Sequence, residues 1–364
     1  MKDKDIEVLP LAFNDWEKDN FKTTICKSSG EEVYNFIAKY VNFCQEGCVI
    51  LHTTNKFNID ILLDNKQQTI INLHKINDFM KINKFFKAVN TKLPLDGIFI
   101  GCVETNWAKK NKIYTRYPRF FSFFYFVAYF IFKRIFPKLL ITRWFYFFLT
   151  KGKNRAISKA ETFGRLVYCG FEIVDFFDFN NLKYFVVKKI KTPTYNGHPS
   201  FGIIFKMPRI GREGKLINVY KFRTMHPFSE YLQEYVYQIN QLESGGKFKN
   251  DFRISTTGHF MRKFWIDELP MIWNFLKGEM KIIGVRPLSP HYFSLYSKEL
   301  QERRIKFKPG LIPPFYVDRP GTLEEIMASE MKYFDLYEKN PFKTDVKYFF
   351  LFLKKFFLYK TRSK

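Results

Sequence analysis

An uncharged, mostly aromatic run of thirteen residues, FFSFFYFVAYFIF (120–132), constrains the fold of this chain most strongly. It lies in a segment, 105–160, that has no acidic residue but thirteen lysines or arginines. Thirteen helical residues span about 20 Å, which is less than the roughly 30 Å hydrocarbon core of a bilayer. Basic residues then follow from Lys133 to Arg143, which argues against a continuous transmembrane helix.

We therefore predict two short apolar helices bent at Pro137, forming a membrane-associated hairpin (118–152) that re-enters or lies on one leaflet. The basic flanks suit anionic headgroups, and aromatic rings suit the membrane interface. The alternative is an aromatic hairpin buried against the protein, which would not need so one-sided a charge. The predicted membrane contacts are Phe124, Phe136, Pro137 and Trp144.

The composition of the whole chain favours an anionic lipid partner. The net charge of +25 suits nucleic acid, acidic headgroups or phosphorylated substrates. The 45 phenylalanines favour lipid. A nucleic-acid-binding protein would present basic and aromatic residues together in an exposed groove. Here the aromatic residues cluster in apolar runs instead, so no nucleic-acid partner is expected.

Cysteine usage and the N-terminus favour a cytosolic setting. The five cysteines (26, 44, 48, 102 and 169) form an odd set without a CxxC motif. They are predicted to be reduced structural thiols. The first residues, MKDKDIEVLP, lack the apolar stretch of a signal peptide, so none is expected.

Residues 1–117 are predicted to form a small α/β domain that 153–192 completes after the hairpin. The strand and helix order faintly resembles the C-terminal half of a class I methyltransferase-like sheet, without a glycine-rich nucleotide loop. We interpret it as a degenerate Rossmann-like scaffold interrupted by the apolar hairpin. The predicted elements are strands at 47–54, 69–74 and 96–104, helices at 76–92 and 155–169, and a strand hairpin at 171–179 and 182–190 around Asn180–Asn181.

A Gly- and Pro-containing stretch at 192–202 marks the start of a second domain, 193–364. Its last segment, 346–364, has six basic residues and no acidic one. This pattern predicts an aromatic amphipathic helix on a membrane surface. The alternative is a helix that closes the domain core.

Two adjacent acids, Asp267 and Glu268, precede Pro270 in the stretch WIDELPMIWNFLKGEMKIIGVRP (265–287). Proline is favoured in the first turn of a helix and glycine just after its end. The stretch therefore predicts a helix from about Leu269 that stops at Gly278, with its N-terminus stabilising the two anions. The residues predicted to face inward are Leu269, Ile272, Trp273 and Leu276.

Basic residues surround this acidic pair in sequence. Lys221 and Arg223 would share one face of a strand, and PRIGREGK (208–215) is typical of a tight basic turn. Arg262 and Arg286 flank the acids. Guanidinium groups match phosphate oxygens, and an acidic pair among them suggests a divalent metal and a diphosphate. The alternative is that Asp267 only caps a helix and the basic residues are solvated surface charges.

Three motifs in order resemble the bacterial sugar transferase family, the monotopic phosphoglycosyl transferases. They are KFRTM (221–225), DxRxxxxGxxMRKxxxDELPxxxNxLKGEM (251–280) and IGVRPL (283–288). The likeness covers about residues 197–312. It implies an α+β membrane-associated catalytic domain of the monotopic phosphoglycosyl transferase type, preceded by the small α/β domain.

The resemblance implies transfer of a sugar-1-phosphate from a UDP-sugar to polyprenyl (undecaprenyl) phosphate, using Mg²⁺, at the cytoplasmic face of the bacterial inner membrane. This step initiates polysaccharide or glycoconjugate synthesis. Asp267 would be the nucleophile that forms an aspartyl-phosphosugar and releases UMP, and Glu268 would hold the metal. The implied phosphate-binding residues are Arg262, Arg286, Lys221 and Arg223.

The chain departs from the family pattern in several places. The usual apolar re-entrant helix before the catalytic region is replaced by GFEIVDFFDFNNLKYFVVKKI (170–190), and KPGLIPPFYV (308–317) stands for the common KPGITGWAQV. GVRP and DELPM replace GPRP and DELPQ. An inactive membrane scaffold of a polysaccharide assembly complex is the alternative, which the intact Asp267–Glu268 pair argues against. The first 190 residues could dock the enzyme, form a homodimer or regulate it.

Overall fold

The computed structural model describes residues 15–43, 46–193, 202–240, 242–243, 247–248 and 251–359. These residues divide into two compact units. Unit 1 lies within 1–201 and 227–234, and unit 2 within 202–226 and 235–364. Both units mix helices and strands, in agreement with the predicted mixed fold class.

Unit 1 is built on a five-stranded sheet in the order β1-β2-β3-β5-β4. Strands β1 to β3 are parallel, and β5 is antiparallel to both β3 and β4. The strands are β1 (Cys48–Leu51), β2 (Thr69–Lys75), β3 (Ile98–Val103), β4 (Phe171–Phe179) and β5 (Leu182–Lys189). The helices are α1 (Asp15–Ser29), α2 (Glu31–Ile37), α3 (Phe57–Asp60), α4 (Ile82–Lys92), α5 (Asn106–Arg116), α6 (Arg119–Phe130), α7 (Leu140–Thr150) and α8 (Lys159–Tyr168).

The five predicted strands are confirmed, and so is the hairpin turn between β4 and β5. Asn180 and Asn181 have φ values of 47° and 63°, as a two-residue turn with left-handed backbone requires. The helix predicted at 76–92 is instead a 3-10 turn, Ile76–Asp78, followed by α4. The buried amide of Asn77 explains the break, because it donates to the Glu104 and Arg155 carbonyls.

The apolar hairpin has the predicted two helices, but its first helical run is longer than thirteen residues. It extends over 20 residues, Arg119–Lys138, and by length and composition alone it is long and apolar enough to cross a membrane. The chain leaves the helical conformation at Leu139 (ψ 137°), two residues after Pro137. The buried Arg134 donates to the Ala156 carbonyl at 2.9 Å, which fixes the end of this run to unit 1.

The apolar face of the hairpin is exposed, so the alternative of a buried hairpin is wrong for the described chain. Phe124 is 55% exposed and Trp144 is 73% exposed. Phe136 and Pro137 are partly buried beside the bend. Among the predicted contacts, Phe124 and Trp144 therefore present their rings outward, whereas the other two do so only in part.

The boundary at 193 differs from the observed division, because Pro227–Glu234 belongs to unit 1. The Phe228 side chain is fully buried and lies 5.5 Å from the Tyr168 ring. Gly164 on α8 makes this packing possible, since a Cβ there would lie 2.2 Å from the Phe228 carbonyl oxygen. From the sequence, Gly164 was a glycine within a predicted helix, and nothing nearby showed that the segment around Phe228 would pack against it.

The described residues of unit 2 form three two-stranded sheets with helices around them. Its strands are β6 (Ile204–Ile210), β7 (Leu216–Phe222), β8 (Leu242–Glu243), β9 (Lys247–Phe248), β10 (Lys281–Ile283) and β11 (Gly310–Ile312). Its helices are α9 (Gln233–Asn240, which begins at the unit boundary), α10 (Thr256–Lys263), α11 (Ile272–Leu276), α12 (Pro290–Ser294), α13 (Lys298–Lys306), α14 (Phe315–Asp318), α15 (Leu323–Lys339) and α16 (Pro341–Tyr359). The predicted basic turn at 208–215 joins β6 to β7.

The last helix closes the core of unit 2, as the alternative interpretation expected. Tyr348 and Phe352 on α16 are buried in the main apolar cluster, together with Tyr333 and Phe334 on α15. Phe350 is 63% exposed, so one side of α16 remains outside the core. Residues 360–364 of the predicted amphipathic segment lie outside the described residues.

The thiols that the structure describes are free, as predicted. Burial raises the pKa of Cys48 to about 11 and the pKa values of Cys102 and Cys169 to about 12. A thiol with so high a pKa is a poor nucleophile and a poor metal ligand at neutral pH. Cys44 lies outside the described residues.

Candidate active site

The acidic pair lies in a 3-10 helix, Ile266–Met271, between α10 and α11. Trp265 opens it with a left-handed backbone (φ 54°), so the chain turns sharply before the two acids. The acids therefore lie in the first turn of a helical segment, as predicted, but this segment begins at Ile266 rather than near Leu269. The predicted stop is confirmed, because Gly278 has a φ of 71° just after α11.

The predicted inward face of this helical segment is wrong. Met271 and Asn274 are buried, because Asn274 accepts the Tyr220 N–H and donates to the Asn218 carbonyl of β7. This bonding rotates the apolar positions outward. Their exposed fractions are 52% for Leu269, 48% for Ile272, 56% for Trp273 and 67% for Leu276.

Asp267 is buried and incompletely paired. Its side chain is 7% exposed, and its Oδ1 atom has no hydrogen-bond partner among the described residues. Burial raises the pKa of Asp267, and the neighbouring Glu268 charge raises it further. The charges of Lys221 and Arg262 act in the opposite direction. An unpaired carboxylate oxygen surrounded by cations is suited to attack an electrophilic phosphorus.

Glu268 pairs with one of the predicted phosphate-binding residues. Lys221 Nζ on β7 donates to Glu268 Oε1 at 2.6 Å, and both side chains are mostly buried. The strand carrying Lys221 and the turn carrying the acids are therefore directly linked. The pair also keeps a positive charge beside Asp267.

The charges of Arg262 and Asp267 act on each other, and a phosphate-binding role for Arg262 remains a prediction. Its Nε donates to Thr224 Oγ1 at 3.0 Å, and burial lowers its pKa while the Asp267 charge raises it. Gly258 permits this arrangement, because a Cβ there would lie 2.0 Å from the Thr224 carbonyl oxygen. The sequence analysis missed this role of Thr224, although KFRTM contains it.

Arg223 is directed elsewhere. Its Nε donates to the Gly202 carbonyl at 2.8 Å, and its guanidinium lies 5.1 Å from the centre of the Phe205 ring. A second arginine, Arg253, forms a two-point ion pair with Asp251 at 2.7 to 3.1 Å. Both motif arginines thus have structural contacts, and a phosphate-binding role for Arg223 remains a prediction.

Arg286 is exposed and is held through its backbone. Its carbonyl accepts from Arg304, which also pairs with the buried Glu330. The preceding Gly284 packs against Gly310, where a Cβ would lie 2.1 Å from the Gly284 nitrogen. The glycines of IGVRPL and KPG are therefore required by the close approach of β10 and β11.

Tyr316 is a site residue that the sequence analysis did not identify. Burial raises the pKa of its phenol, the Glu268 and Asp267 charges raise it too, and the Arg286 charge lowers it. Three of the charged groups predicted for the site, Glu268, Asp267 and Arg286, therefore act on one phenol. The segment that departs from the family pattern, 308–317, supplies this ring.

An apolar cavity of about 290 Å³ opens beside Glu268. It lies within unit 2, between the acidic turn, β11, α14 and α16. Its lining residues are Trp265, Glu268, Leu269, Met271, Ile272, Leu311, Ile312, Tyr316, Phe352 and Leu353.

The residues present fit a metal ion only together with substrate oxygens. The described part of the chain has no cluster of three or more His, Cys, Asp or Glu side chains that could hold a metal. Mg²⁺ is commonly bound by one or two carboxylates plus substrate phosphates and water. The second oxygen of Glu268, together with substrate phosphate oxygens, would meet that requirement.

Residues 190–358 match the family profile described as bacterial sugar transferase. This part of the chain is thus similar to the bacterial sugar transferase family, and the predicted family resemblance is confirmed. The match spans unit 2 and the acidic turn.

Characterised relatives support the same assignment over part of their length. The galactosyl transferase CpsE of Streptococcus agalactiae is 36% identical over 135 residues, which are 36% of this chain and 30% of that protein. The undecaprenyl-phosphate galactose phosphotransferase of Salmonella typhimurium is 36% identical over 123 residues, 32% of this chain and 25% of that protein. The UDP-glucose:undecaprenyl-phosphate glucose-1-phosphate transferase of Klebsiella pneumoniae is 32% identical over 166 residues, 44% of this chain and 33% of that protein. The matched region is thus about a third of these proteins or less.

Proposed function

We propose that this protein transfers a sugar-1-phosphate from a UDP-sugar to a polyprenyl phosphate. The observation that carries the proposal is the buried Asp267 with its unpaired Oδ1, next to Glu268 and within reach of the Lys221 and Arg262 charges. The names of the related undecaprenyl-phosphate transferases support the class of reaction. The product would start the assembly of a polysaccharide or glycoconjugate.

The reaction would proceed through two displacements at one phosphorus atom. An Asp267 oxygen attacks the sugar-side phosphorus of the UDP-sugar, the bond to the bridging oxygen breaks, and UMP leaves. A phosphate oxygen of polyprenyl phosphate then attacks the same phosphorus, and the Asp267 carboxylate leaves. The products are polyprenyl diphosphate sugar and the regenerated carboxylate.

The surrounding residues have distinct roles in this proposal. Arg262 and the exposed Arg286 would bind phosphate oxygens, and Lys221 would keep Glu268 oriented. Mg²⁺, when bound by Glu268 and the diphosphate, would reduce the negative charge that opposes attack by a carboxylate. Arg223 would contribute only after releasing the Gly202 carbonyl.

The acceptor requires that the enzyme lie at a membrane, and we assign the hairpin 118–152 to that role. Its exposed aromatic face and acid-free basic flanks support insertion into one leaflet with anionic headgroups. The nucleotide sugar is a cytosolic metabolite class, so the site would face the cytoplasm at the bacterial inner membrane.

The test is UMP release by purified, detergent-solubilised protein with Mg²⁺, undecaprenyl phosphate and a panel of UDP-sugars. Release that needs Asp267, and that is reduced in Glu268→Gln, would support the reaction and identify the sugar. Folded wild-type protein that releases no UMP with any sugar would contradict the proposal and favour an inactive scaffold. Omission of Mg²⁺ tests the metal separately.

The membrane role has a matched pair of variants. Trp144 on α7 is 73% exposed and Trp107 on α5 is 72% exposed, but only Trp144 lies in the hairpin. We expect Trp144→Ser to weaken flotation with anionic vesicles several-fold and Trp107→Ser to leave it within twofold. Equal effects of the two changes would contradict a specific role of the hairpin.

A further inference from the structure

The cavity beside Glu268 differs in chemistry from the acidic turn next to it. Apart from the Glu268 carboxylate, the Tyr316 hydroxyl and the Trp265 indole N–H, the side-chain groups that line it are apolar. A sugar or a diphosphate in this space would leave several polar groups without hydrogen-bond partners, which costs free energy. A hydrocarbon would remove apolar surface from water at no such cost.

We propose that this cavity binds the first isoprene units of the polyprenyl chain of the acceptor. The inference rests on the proposed function, which requires a polyprenyl phosphate whose phosphate reaches Asp267. An apolar cavity of about 150 Å³ accommodates benzene, which is similar in size to one isoprene unit. The volume of about 290 Å³ therefore suits about two isoprene units.

The exposed apolar residues provide a path from this cavity to lipid. Leu269 and Ile272 line the cavity and are also about half exposed. Trp273 and Leu276 continue the same row at helical spacing. An apolar row that leads out of a cavity is suited to a chain that begins at the site and ends in a bilayer.

The residues that depart from the family pattern form the wall opposite the acidic turn. Leu311 and Ile312 come from β11 in KPGLIPPFYV, and Tyr316 comes from α14, which begins directly after Pro314. Leu353 on α16 completes this wall. The altered segment thus supplies an apolar surface at the place where the lipid end of the acceptor would lie.

The chain offers a matched pair of variants on one helix. Leu351 and Leu353 are both partly buried leucines on α16 that pack on the same core, but only Leu353 lines the cavity. Leu353→Asn places a polar amide in the proposed prenyl site. Leu351→Asn makes the same chemical change outside it and controls for destabilisation of the helix.

The experiment measures the two half-reactions separately. We expect Leu353→Asn to raise the KM for undecaprenyl phosphate about tenfold or more, because the loss of one buried apolar contact is worth about 1.5 kcal/mol. The UMP burst without acceptor and the KM for UDP-sugar should stay within twofold. Leu351→Asn should change none of these three quantities (the KM for undecaprenyl phosphate, the UMP burst and the KM for UDP-sugar) by more than twofold.

A second variant fills the space without adding polarity. Leu311→Trp should raise the acceptor KM for undecaprenyl phosphate, and the increase should be smaller with a phosphate carrying a single isoprene unit, which needs only part of the cavity. It keeps the proposal testable if Leu353→Asn does not fold.

Three outcomes would overturn the inference. The first is an unchanged KM for undecaprenyl phosphate in both cavity variants. The second is an equal increase of this KM in Leu351→Asn. The third is a rise in the KM for UDP-sugar alone, which would place the nucleotide in the cavity. If wild-type protein gives no UMP burst, the proposed reaction fails. The cavity assignment is then tested separately, by measuring the direct binding of undecaprenyl phosphate to the wild-type protein and to Leu353→Asn. Equal binding by the two proteins would then contradict it.

Discussion

Glu161 in unit 1 and Asp267 in unit 2 are both buried carboxylates, but their surroundings are opposite. Glu161 pairs with Arg134 through one oxygen and with Arg165 through the other, at 2.7 Å. Burial alone would raise its pKa, but the Arg134, Lys138 and Arg165 charges hold the pKa of Glu161 well below its usual range. Asp267 has an oxygen without a partner, and its pKa is raised.

The difference separates a structural acid, Glu161, from the acid that is proposed to react, Asp267. A buried carboxylate that accepts hydrogen bonds at both oxygens has a stable charge and no oxygen available for attack. A buried carboxylate with a free oxygen costs folding energy, and such costs concentrate at functional sites. The contrast supports the chemical role proposed for Asp267, which its position in a helical turn alone would not.

The largest expected effect is that of Asp267→Asn on catalysis. The amide could not form the proposed covalent intermediate, so UMP release should fall by about 10⁴-fold or more, which corresponds to over 5 kcal/mol. Stability at pH 7 should not fall, because the change removes a buried charge whose pKa is raised. Steady-state UMP release and chemical denaturation measure the two effects. A variant that loses stability and activity together would indicate a structural role.

Glu161→Gln should give the reverse result. It leaves the buried Arg134 guanidinium without its charged partner, and breaking a buried ion pair in this way costs about 3 to 5 kcal/mol. Chemical denaturation followed by circular dichroism measures the loss. UMP release per folded molecule should change less than twofold. The control is Glu172→Gln on the exposed side of β4, which should cost less than about 0.5 kcal/mol.

The sequence predicted unit 1 well because its strands are apolar and its turns are local. The Asn180–Asn181 turn is fixed by neighbouring residues, so it could be read from the sequence. The packing of Phe228 into the space left by Gly164 depends on two segments far apart in the chain. No local pattern indicates such a contact, and the boundary at 193 therefore missed it.

For the candidate active site, the sequence indicated the motif residues, but the predicted orientation of the helical segment after the two acids was wrong. The apolar spacing of Leu269, Ile272 and Leu276 was interpreted as an inward face, although the buried Asn274 decides the orientation through its bonds to β7. Apolar periodicity shows that a face avoids water, but it does not distinguish a core from a lipid surface. Tyr316 was missed because its role depends on a turn that follows two prolines.

Lys221→Met tests how the charge at the reactive acid is controlled. Lys221 pairs with Glu268 and lowers the pKa of Asp267, so its removal should raise that pKa further. We expect UMP release to fall about 10- to 100-fold and the acid side of its pH profile to move to higher pH. The control, Lys215→Met in the exposed turn of the same strand hairpin, should change neither by more than twofold. A lower rate with an unmoved acid limb would show that Lys221 only binds substrate.

The smallest effect is the opposite pH dependence that the two acids give to stability. Because the pKa of Asp267 is raised, the folded state binds the Asp267 proton more tightly than the unfolded state does. The resulting contribution to the free energy of unfolding is fully present below the ordinary pKa of an aspartate, and it is lost as pH rises through the pKa of the folded state. Asp267→Asn should therefore be the more stable protein at pH 7, with a difference from wild type that narrows towards about pH 4. Glu161 contributes stability above its ordinary pKa and loses it as pH falls through its lowered value, so the Glu161→Gln difference should persist at pH 4 and narrow only below it. Urea denaturation between pH 7 and pH 3 measures both differences. One unit of pKa shift corresponds to about 1.4 kcal/mol of unfolding free energy, which is a small difference. The urea denaturation series therefore needs closely spaced pH values. Parallel curves for the two variants would mean that both acids are structural, and the contrast that assigns reactivity to Asp267 would fail.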